Sequence, residues 1–329
     1  MRSLTAWLRR WGISFASLAG GLLTLFVFRR GVPAVSVLVG YVLLLWLLVA
    51  VLVQVRDALE ASDRRGHRLV LTATEYTIQS LYHGVLLFLL PPYWAATTLV
   101  SPNVVLLAAL VLLVVVATFD PWYRAVVHPR PWLGHVFFLV SVFAALNLAL
   151  PLIGVPPFAA LMIAACAAVV ALTPAVRRAR GWRWPTALAV TAVVGATAAA
   201  AAGWWCVVIP PAPMFLARAE LGWTVSPADS PEPDPGAIHA AELQERGLVV
   251  RTAIYAPAGL RQPVEHVWRR NRRRVDVMRL TTVEGGRREG FRTFSRKTTF
   301  PPNPVGRWSV DVMTGSGQLV GRLRFRVVP

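Results

Sequence analysis

The sequence predicts an α-helical membrane bundle of about seven transmembrane helices, followed by a C-terminal all-β, sandwich-like domain. Of the 329 residues, 56% are hydrophobic, which is above the roughly 45–50% of soluble domains. The apolar excess lies in long runs before about residue 210, and a period-two alternation begins near residue 248. We therefore predict a helical membrane domain over residues 1–209, a proline-rich linker over 210–245 and a β domain over 246–329.

Seven apolar runs predict the membrane spans. A span needs about 17–25 mostly apolar residues to cross a hydrocarbon core about 30 Å thick. The runs that approach this requirement are Gly12–Phe28, Val32–Val53, Thr77–Val100, Val104–Phe119, Trp132–Leu152, Phe158–Thr173 and Thr186–Ile209.

Arginine between the predicted spans indicates the orientation of the chain. Thirteen basic residues precede the first run or follow the second, fourth and sixth, whereas the alternate connections hold only Arg29 and Arg30. Cytoplasmic loops carry the excess of Arg and Lys. We therefore expect a multi-pass membrane protein with a cytoplasmic N-terminus. Seven spans would then place the C-terminal domain outside the cytoplasm.

Alternating residues predict the strands of the C-terminal domain. Trp308, Val310 and Val312 alternate with polar residues, and after the glycine turn at 315–317 the apolar Phe325 and Val327 alternate with arginines. One apolar and one charged face are typical of a half-buried antiparallel hairpin. About six such strands in about 80 residues predict a small sandwich.

Short motifs in this domain resemble those of a known family. They are His266-x-Trp268, Arg292 with Ser295, Gly306-x-Trp308 and Phe325-x-Val327, together with an early stretch Leu90-Pro-Pro-Tyr-Trp94. This pattern is similar to that of uncharacterised proteobacterial multi-pass membrane proteins which end in a β-rich domain of unknown function. The resemblance implies an inner-membrane protein with a periplasmic β domain, and it implies no reaction.

Polar residues near the third run form a first candidate site for a ligand or a proton. Glu75, Gln79 and His83 are spaced four residues apart and share one helix face. Asp120 and His128 surround the turn after the fourth run. Ionisable residues at membrane depth often mark ion or proton paths. The same side chains could instead hydrogen-bond neighbouring helices and hold the bundle together.

A run of arginines forms the second candidate site, for an anion or a protein partner. Five of the six residues from 269 to 274 are arginine, namely Arg269, Arg270, Arg272, Arg273 and Arg274, and the run is interpreted as a hairpin turn. Outside the cytoplasm nucleic acid is not an expected partner. The expected partners are membrane lipids, an anionic envelope component or another envelope protein. A turn that is merely solvated is the other interpretation.

No motif in the sequence predicts catalysis. Ser295 lacks the Gly-x-Ser-x-Gly environment of a nucleophile elbow, and no metal-ligand spacing or cofactor fingerprint occurs. We therefore expect no catalytic residue, metal or cofactor, and favour a non-enzymatic envelope protein that binds, senses or scaffolds. The alternatives are a transporter or proton-coupled channel that uses the third span, and a membrane enzyme with its site at the cytoplasmic face.

Overall fold

The protein is seen in a computed structural model that describes residues 44, 46–47, 49–51, 65–225 and 236–329. The chain divides into two compact units. The helical unit comprises the described residues up to Pro91, with Leu106–Ala149 and Ala159–Trp204. The β unit comprises Pro92–Val105, Leu150–Phe158 and Trp205–Pro329 without the undescribed residues 226–235. The expected combination of a helical N-terminal region and a β-rich C-terminal domain is confirmed.

Between Arg65 and Trp204 the described chain is mainly helical. The helices are α1 (Arg65–Ala96), α2 (Val104–Thr118), α3 (Asp120–Val126), α4 (Pro131–Leu152), α5 (Pro157–Val170), α6 (Thr173–Arg180) and α7 (Trp184–Trp204). Three helical segments are long and apolar enough to cross a membrane, namely Pro131–Leu152, Pro157–Arg180 and Trp184–Trp204. A fourth span is possible if α2 and α3, which meet at a bend of 108°, count together.

The prediction of seven spans is not supported, since the described residues give three to four. The first predicted span, Gly12–Phe28, and most of the second, Val32–Val53, lie outside those residues. The third, Thr77–Val100, lies in α1 up to Ala96, and Gln79, His83 and two prolines interrupt its apolar run. The fourth corresponds to α2, whose 15 residues extend only about 22 Å at 1.5 Å per residue. It reaches the length of a span only together with α3.

Small residues let the last two candidate spans approach closely. Ala187, Thr191, Gly195 and Ala199 recur every fourth residue as the buried line of α7. A Cβ atom at Gly195 would lie 3.0 Å from the carbonyl oxygen of Cys166 on α5. The hydroxyls of Thr173 and Thr191 are 2.7 Å apart. Close backbone approach and hydroxyl hydrogen bonds are the usual means of helix association in membranes.

The β unit contains a sandwich with one short helix. Its elements are β1 (Phe215–Gly222), β2 (Ile238–His239), α8 (Ala240–Arg246), β3 (Leu248–Tyr255), β4 (Arg261–Gln262), β5 (Val264–Arg270), β6 (Arg273–Arg279), β7 (Val283–Glu284), β8 (Phe291–Lys297), β9 (Gly306–Thr314) and β10 (Leu319–Val328). One sheet has the order β1-β3-β8, the second has the order β2-β10-β9-β5-β6, and β4 pairs with β7. Except for the parallel β2–β10 pair, the strands are antiparallel.

The core of the sandwich joins its two larger sheets. Trp268, Trp308 and Phe325 from the five-stranded sheet pack in one buried cluster with Leu248 and Val250 from the three-stranded sheet. The Trp308 and Phe325 rings stack with their centroids 6.0 Å apart. Because inward positions alternate along each strand, the intervening side chains of β9 and β10 face away from this core.

The sandwich begins earlier than the sequence predicts. Strand β1 lies inside the predicted linker of residues 210–245, and it pairs with β3 from Phe215↔Tyr255 to Gly222↔Val249. Leu221 and Trp223 belong to the buried core, which explains why this proline-free stretch is ordered. The prolines lie on either side of it, at 210–213 and at 227–235. The whole second group is outside the described residues.

Replacing Trp308 with alanine should lower the free energy of unfolding of the β unit by about 3–5 kcal/mol, the usual cost of removing a large buried aromatic side chain. Trp308 is 2% exposed, and its indole N–H donates to the Pro304 carbonyl at 2.8 Å. Denaturant-dependent proteolysis of the full-length protein measures the change. Phe294→Ala is the control, because Phe294 is 49% exposed on β8. Equal effects of the two substitutions would contradict the assignment of the inner face.

Candidate functional site

The outer face of the five-stranded sheet is rich in arginine. Along β10, Arg322, Arg324 and Arg326 alternate with residues of the opposite face, of which Phe325 and Val327 are buried. Strand β9 adds Arg307, Ser309 and Asp311 to the same outer face, and β5 adds Arg269. These side chains are brought together by strand pairing across three strands whose residues are up to 57 positions apart in sequence.

The register arranges these residues in three rows across the sheet. Arg322 lies opposite Asp311. In the next row, Ser309 lies between Arg324 and Arg269. In the third row, Arg326 lies directly opposite Arg307. Like charges that lie directly opposite each other destabilise a sheet, so the side chains of the third row do not stabilise the pairing of β9 with β10.

Asp311 organises the first two rows. Its carboxylate is buried, with the residue only 1% exposed. Arg322 donates from Nε to Oδ1 at 2.5 Å and from Nη2 to Oδ2 at 2.9 Å. Arg269 donates from Nε to Oδ2 at 2.8 Å. A two-point fork of this kind fixes the guanidinium plane as well as its position. One buried carboxylate therefore holds two arginines in place on the outer face.

The remaining arginines of this face are exposed. In the described part of the chain, Arg307, Arg326 and Arg272 have no carboxylate partner, and Arg324 donates only to a carbonyl. They border a groove of about 1130 Å³, which is lined by Arg269, Arg272, Arg307, Arg322, Arg324 and Arg326 together with Asn271, Val100, Val305 and Val328 among others. We call this groove the arginine groove. Its positive charge exceeds what Asp311 can neutralise.

The arginine-rich run is a hairpin turn, as the sequence predicts. Arg270 pairs with Arg273, and the two residues between them, Asn271 and Arg272, have φ of 48° and 69°. Two positive φ values are typical of the two-residue hairpin turn. The Asn271 backbone N–H donates to the Arg307 carbonyl at 2.8 Å, and the Arg307 N–H donates to Asn271 Oδ1 at 3.1 Å. The turn is thereby fixed beside β9.

The five arginines of the run do not form one site. Arg269 and Arg272 line the arginine groove. Arg270 donates from Nη2 to the Val305 carbonyl at 2.8 Å. Arg273 and Arg274 begin β6 and are exposed, and neither lines the groove. The sequence indicated the charge of this turn, but it did not indicate that Arg307, Arg324 and Arg326 would join it.

His266 forms a polar bridge in the core of the sandwich. It is fully buried. Its Nδ1 lies 2.7 Å from the Ser295 hydroxyl on β8, and its Nε2 lies 3.2 Å from the Thr252 hydroxyl on β3. The bridge thus joins the two sheets, and burial lowers the pKa of His266 to about 4.

The other residues of the same motif divide between core and surface. Trp268 and Trp308 pack in the core. Arg292 is exposed and donates to Glu289 Oε2 at 2.9 Å. Since both ring nitrogens of His266 also lie within hydrogen-bond distance of hydroxyls, the motif combines a structural core with one surface ion pair.

The candidate residues of the helical unit come together at the bend between α2 and α3. Gln79 donates from Nε2 to Asp120 Oδ1 at 2.7 Å and to the Ala117 carbonyl at 3.1 Å. His83 Nδ1 lies 3.1 Å from the Thr118 hydroxyl. His83 is 2% exposed, and its Nε2 has no hydrogen-bond partner among the described residues. Glu75 is half-buried one turn before Gln79.

His128 lies at the edge of this cluster. It is exposed, and its ring contacts that of Tyr123 edge-on with the centroids 6.0 Å apart. Within the part of the chain that the structure describes, no group of three or more His, Cys, Asp or Glu side chains could hold a metal ion. The cluster therefore offers hydrogen bonds and titratable groups.

Replacing His266 with glutamine should flatten the pH dependence of stability. Unfolded histidine binds a proton below about pH 6.5, whereas buried His266 stays neutral down to about pH 4. The contribution of this residue is therefore intact above pH 6.5 and is lost as the pH falls to 4, by about 3 kcal/mol. Glutamine keeps a donor and an acceptor but does not titrate.

Denaturant unfolding at pH 7 and pH 4 measures this difference for the wild type and for His266→Gln. We expect the loss of stability between the two pH values to be about 3 kcal/mol smaller in the variant. Replacement of the exposed His239 is the control. If His266→Gln loses as much stability as the wild type, His266 is not held neutral by the fold.

Two family models match the chain, and both describe proteins of unknown function. The model called "Family of unknown function (DUF5924)" matches residues 1–250, and "Protein of unknown function (DUF2914)" matches residues 261–327. No curated protein and no solved structure matches the chain. These two matches confirm the expectation of an uncharacterised family with a distinct C-terminal domain.

The two matches divide a single sandwich. The first includes β1 and the start of β3, and the second covers β4 to β9 and nearly all of β10. Strand β3 nevertheless pairs with β8 along seven residues. Because the first model matches well over half of the chain, the protein belongs to the family of unknown function DUF5924.

Proposed function

We propose that this protein is a non-enzymatic, multi-pass protein of the bacterial inner membrane, and that its β domain binds an anionic component of the envelope outside the cytoplasm. The observation that carries the proposal is the arginine groove, where Arg307 and Arg326 face each other across neighbouring strands without a carboxylate partner among the described residues. The groove suits the carboxylates of an acidic envelope protein as well as the negatively charged groups of a glycan or a lipid, because all of these accept hydrogen bonds from guanidinium groups.

An anion would relieve the repulsion in the third row. Like charges that lie directly opposite each other oppose strand pairing by roughly 0.2–1 kcal/mol. Guanidinium groups form paired hydrogen bonds with phosphate and carboxylate. Arg322 and Arg269 are already oriented by Asp311, so the groove does not need to order every side chain when a ligand binds. This preorganisation favours binding.

The distribution of arginine along the helices supports an extracytoplasmic β domain. The β unit includes Pro92–Val105, which joins α1 to α2, and Leu150–Phe158, which joins α4 to α5. Neither segment contains Arg or Lys. The connections at the other helix ends contain Arg124 and Arg130, and then Arg177, Arg178, Arg180 and Arg183. Positive charge marks the cytoplasmic side, so the absence of Arg and Lys from these two segments supports an extracytoplasmic location for the unit to which they belong.

Alkaline phosphatase fused after Pro329 should be active, because the enzyme folds only outside the cytoplasm, and a fusion at Arg180 should be inactive. A β-galactosidase fusion at the same two positions serves as the control and should show the reverse pattern. Active phosphatase at Arg180 with inactive phosphatase at Pro329 would overturn the orientation.

Binding of a soluble polyanion to the full-length protein tests the groove. We expect polyphosphate to bind in neutral detergent, and to bind less tightly as salt rises, because the screening length shortens from about 30 Å at 0.01 M to about 8 Å at 0.15 M. Replacing Arg307 and Arg326 with serine should weaken binding about tenfold or more, since each charge-assisted hydrogen bond contributes about 1.5–3 kcal/mol.

Arg273→Ser combined with Arg274→Ser is the matched control for this measurement. These residues carry the same charge and are exposed on the same sheet, but they lie outside the groove. The control should bind as tightly as the wild type. If the two double variants lose equal affinity, the binding reflects net charge and the groove is not a site.

The bend between α2 and α3 favours a second candidate function, that of a proton or ion pathway. Broken helices at membrane depth are tolerated where they line a site or are buried in protein. At this bend Gln79 donates a hydrogen bond to Asp120. Nearby, the Nε2 atom of His83 has no hydrogen-bond partner among the described residues.

Proton flux into proteoliposomes should then fall in Glu75→Gln and His83→Gln. Thr197→Ala is the control, because Thr197 is exposed on α7 and its hydroxyl donates to the Val193 carbonyl of the same helix. No flux in the wild type would contradict this candidate.

A further inference from the structure

The arginine groove borders the segment that leads into an apolar helix. Val100, in the turn between α1 and α2, lines the groove. Its carbonyl accepts from Arg322 Nη1 at 3.4 Å and from Arg324 Nη2 at 3.3 Å. Helix α2 begins four residues later at Val104 and contains no charged residue. Two arginines of the groove are therefore in contact with a turn at the end of a hydrophobic helix.

Exposed apolar side chains mark the helix-end segments of the β unit. Leu99 is 58% exposed and Val100 63% exposed after α1, Ile153 is 65% exposed after α4, and Trp205 is 69% exposed after α7. These residues come from three separate segments of the same compact unit. Large apolar residues with Trp among them are typical of the boundary between a bilayer and water. The segment that carries Val100 therefore fits the headgroup region of a membrane.

The lining of the arginine groove combines positive charge with apolar surface. Six arginines surround it, and the valines Val100, Val305 and Val328 line it as well. A small soluble anion uses only the charged part of such a lining. A lipid uses both parts, because its phosphate accepts hydrogen bonds from guanidinium groups while its glycerol and proximal methylenes contact apolar side chains. Clustered basic residues close to a membrane are a general mode of anionic lipid recognition.

We infer that the ligand of the arginine groove is the phosphate-bearing headgroup of an anionic membrane lipid. The inference rests on the proposed function and deepens it by naming the class of anion. Arg307 and Arg326 contact the phosphate. Arg269 and Arg322, held by Asp311, complete a positively charged wall behind it. The lipid stays in its leaflet and presents its headgroup phosphate to the groove.

Lipid binding to the full-length protein, purified in neutral detergent, tests this inference by native mass spectrometry. The probes are phosphatidylglycerol, the zwitterionic phosphatidylcholine, and glycerol 1-phosphate, which carries the phosphate without acyl chains. We expect phosphatidylglycerol to bind about tenfold or more tightly than either of the others. The Arg307→Ser, Arg326→Ser double variant should lose this preference, and the Arg273→Ser, Arg274→Ser control should keep it.

The outcomes separate this inference from the proposed function. If glycerol 1-phosphate binds as tightly as phosphatidylglycerol, the groove takes a soluble phosphate and the lipid assignment falls. If the wild type does not distinguish the two lipids but binds polyphosphate, the anion site stands and the lipid assignment falls. If neither polyphosphate nor phosphatidylglycerol binds, both proposals fall. Equal loss in the two double variants would also overturn the lipid assignment.

Discussion

The buried carboxylate of Asp311 is the interaction on which the outer face of the β unit depends. It accepts three hydrogen bonds from Arg269 and Arg322, and it thereby joins β5, β9 and β10 by side chains as well as by backbone pairing. A buried charge without partners is strongly destabilising, so Asp311 requires both arginines. The two arginines in turn contribute to a positively charged surface. The exposed Arg307, Arg324 and Arg326 extend this surface, and their charge exceeds what one carboxylate can neutralise.

Local patterns in the sequence predicted the elements, and pairing between distant segments determined the site. Alternation around Trp308 and Phe325 predicted an apolar and a charged face, because a strand has a period of two residues. The same pattern predicted that β9 and β10 form a hairpin, but it contains no information on the pairing of β5 with β9, so the contact of Arg269 with Asp311 could not be read from it. The bond between Gln79 and Asp120 likewise joins residues 41 positions apart. Strand β1 escaped prediction because prolines on both sides made its segment resemble a linker.

The membrane part shows the limits of hydropathy in a similar way. Window averages detect α4, the α5–α6 segment and α7, because each contains a long apolar stretch. They do not account for α1, whose polar residues bond to the bend before α3 and so interrupt its apolar run. The sandwich also crosses the boundary between the two family matches, since β3 pairs with β8. Residues 261–327 alone would lack two of the three strands in the sheet β1-β3-β8, so both matched regions contribute to one core.

Under the proposed function, Arg326 is retained for binding at the expense of stability, and the free energy of unfolding of Arg326→Thr without any anion tests this most directly. Removing one of two opposed arginines should make the protein more stable by roughly 0.2–1 kcal/mol, since threonine also favours strands. Arg296→Thr is the control, because Arg296 lies opposite Val249 and should gain only the small propensity term. If Arg326→Thr is instead less stable than the wild type, Arg326 supports the fold itself and the account of the arginine groove is contradicted.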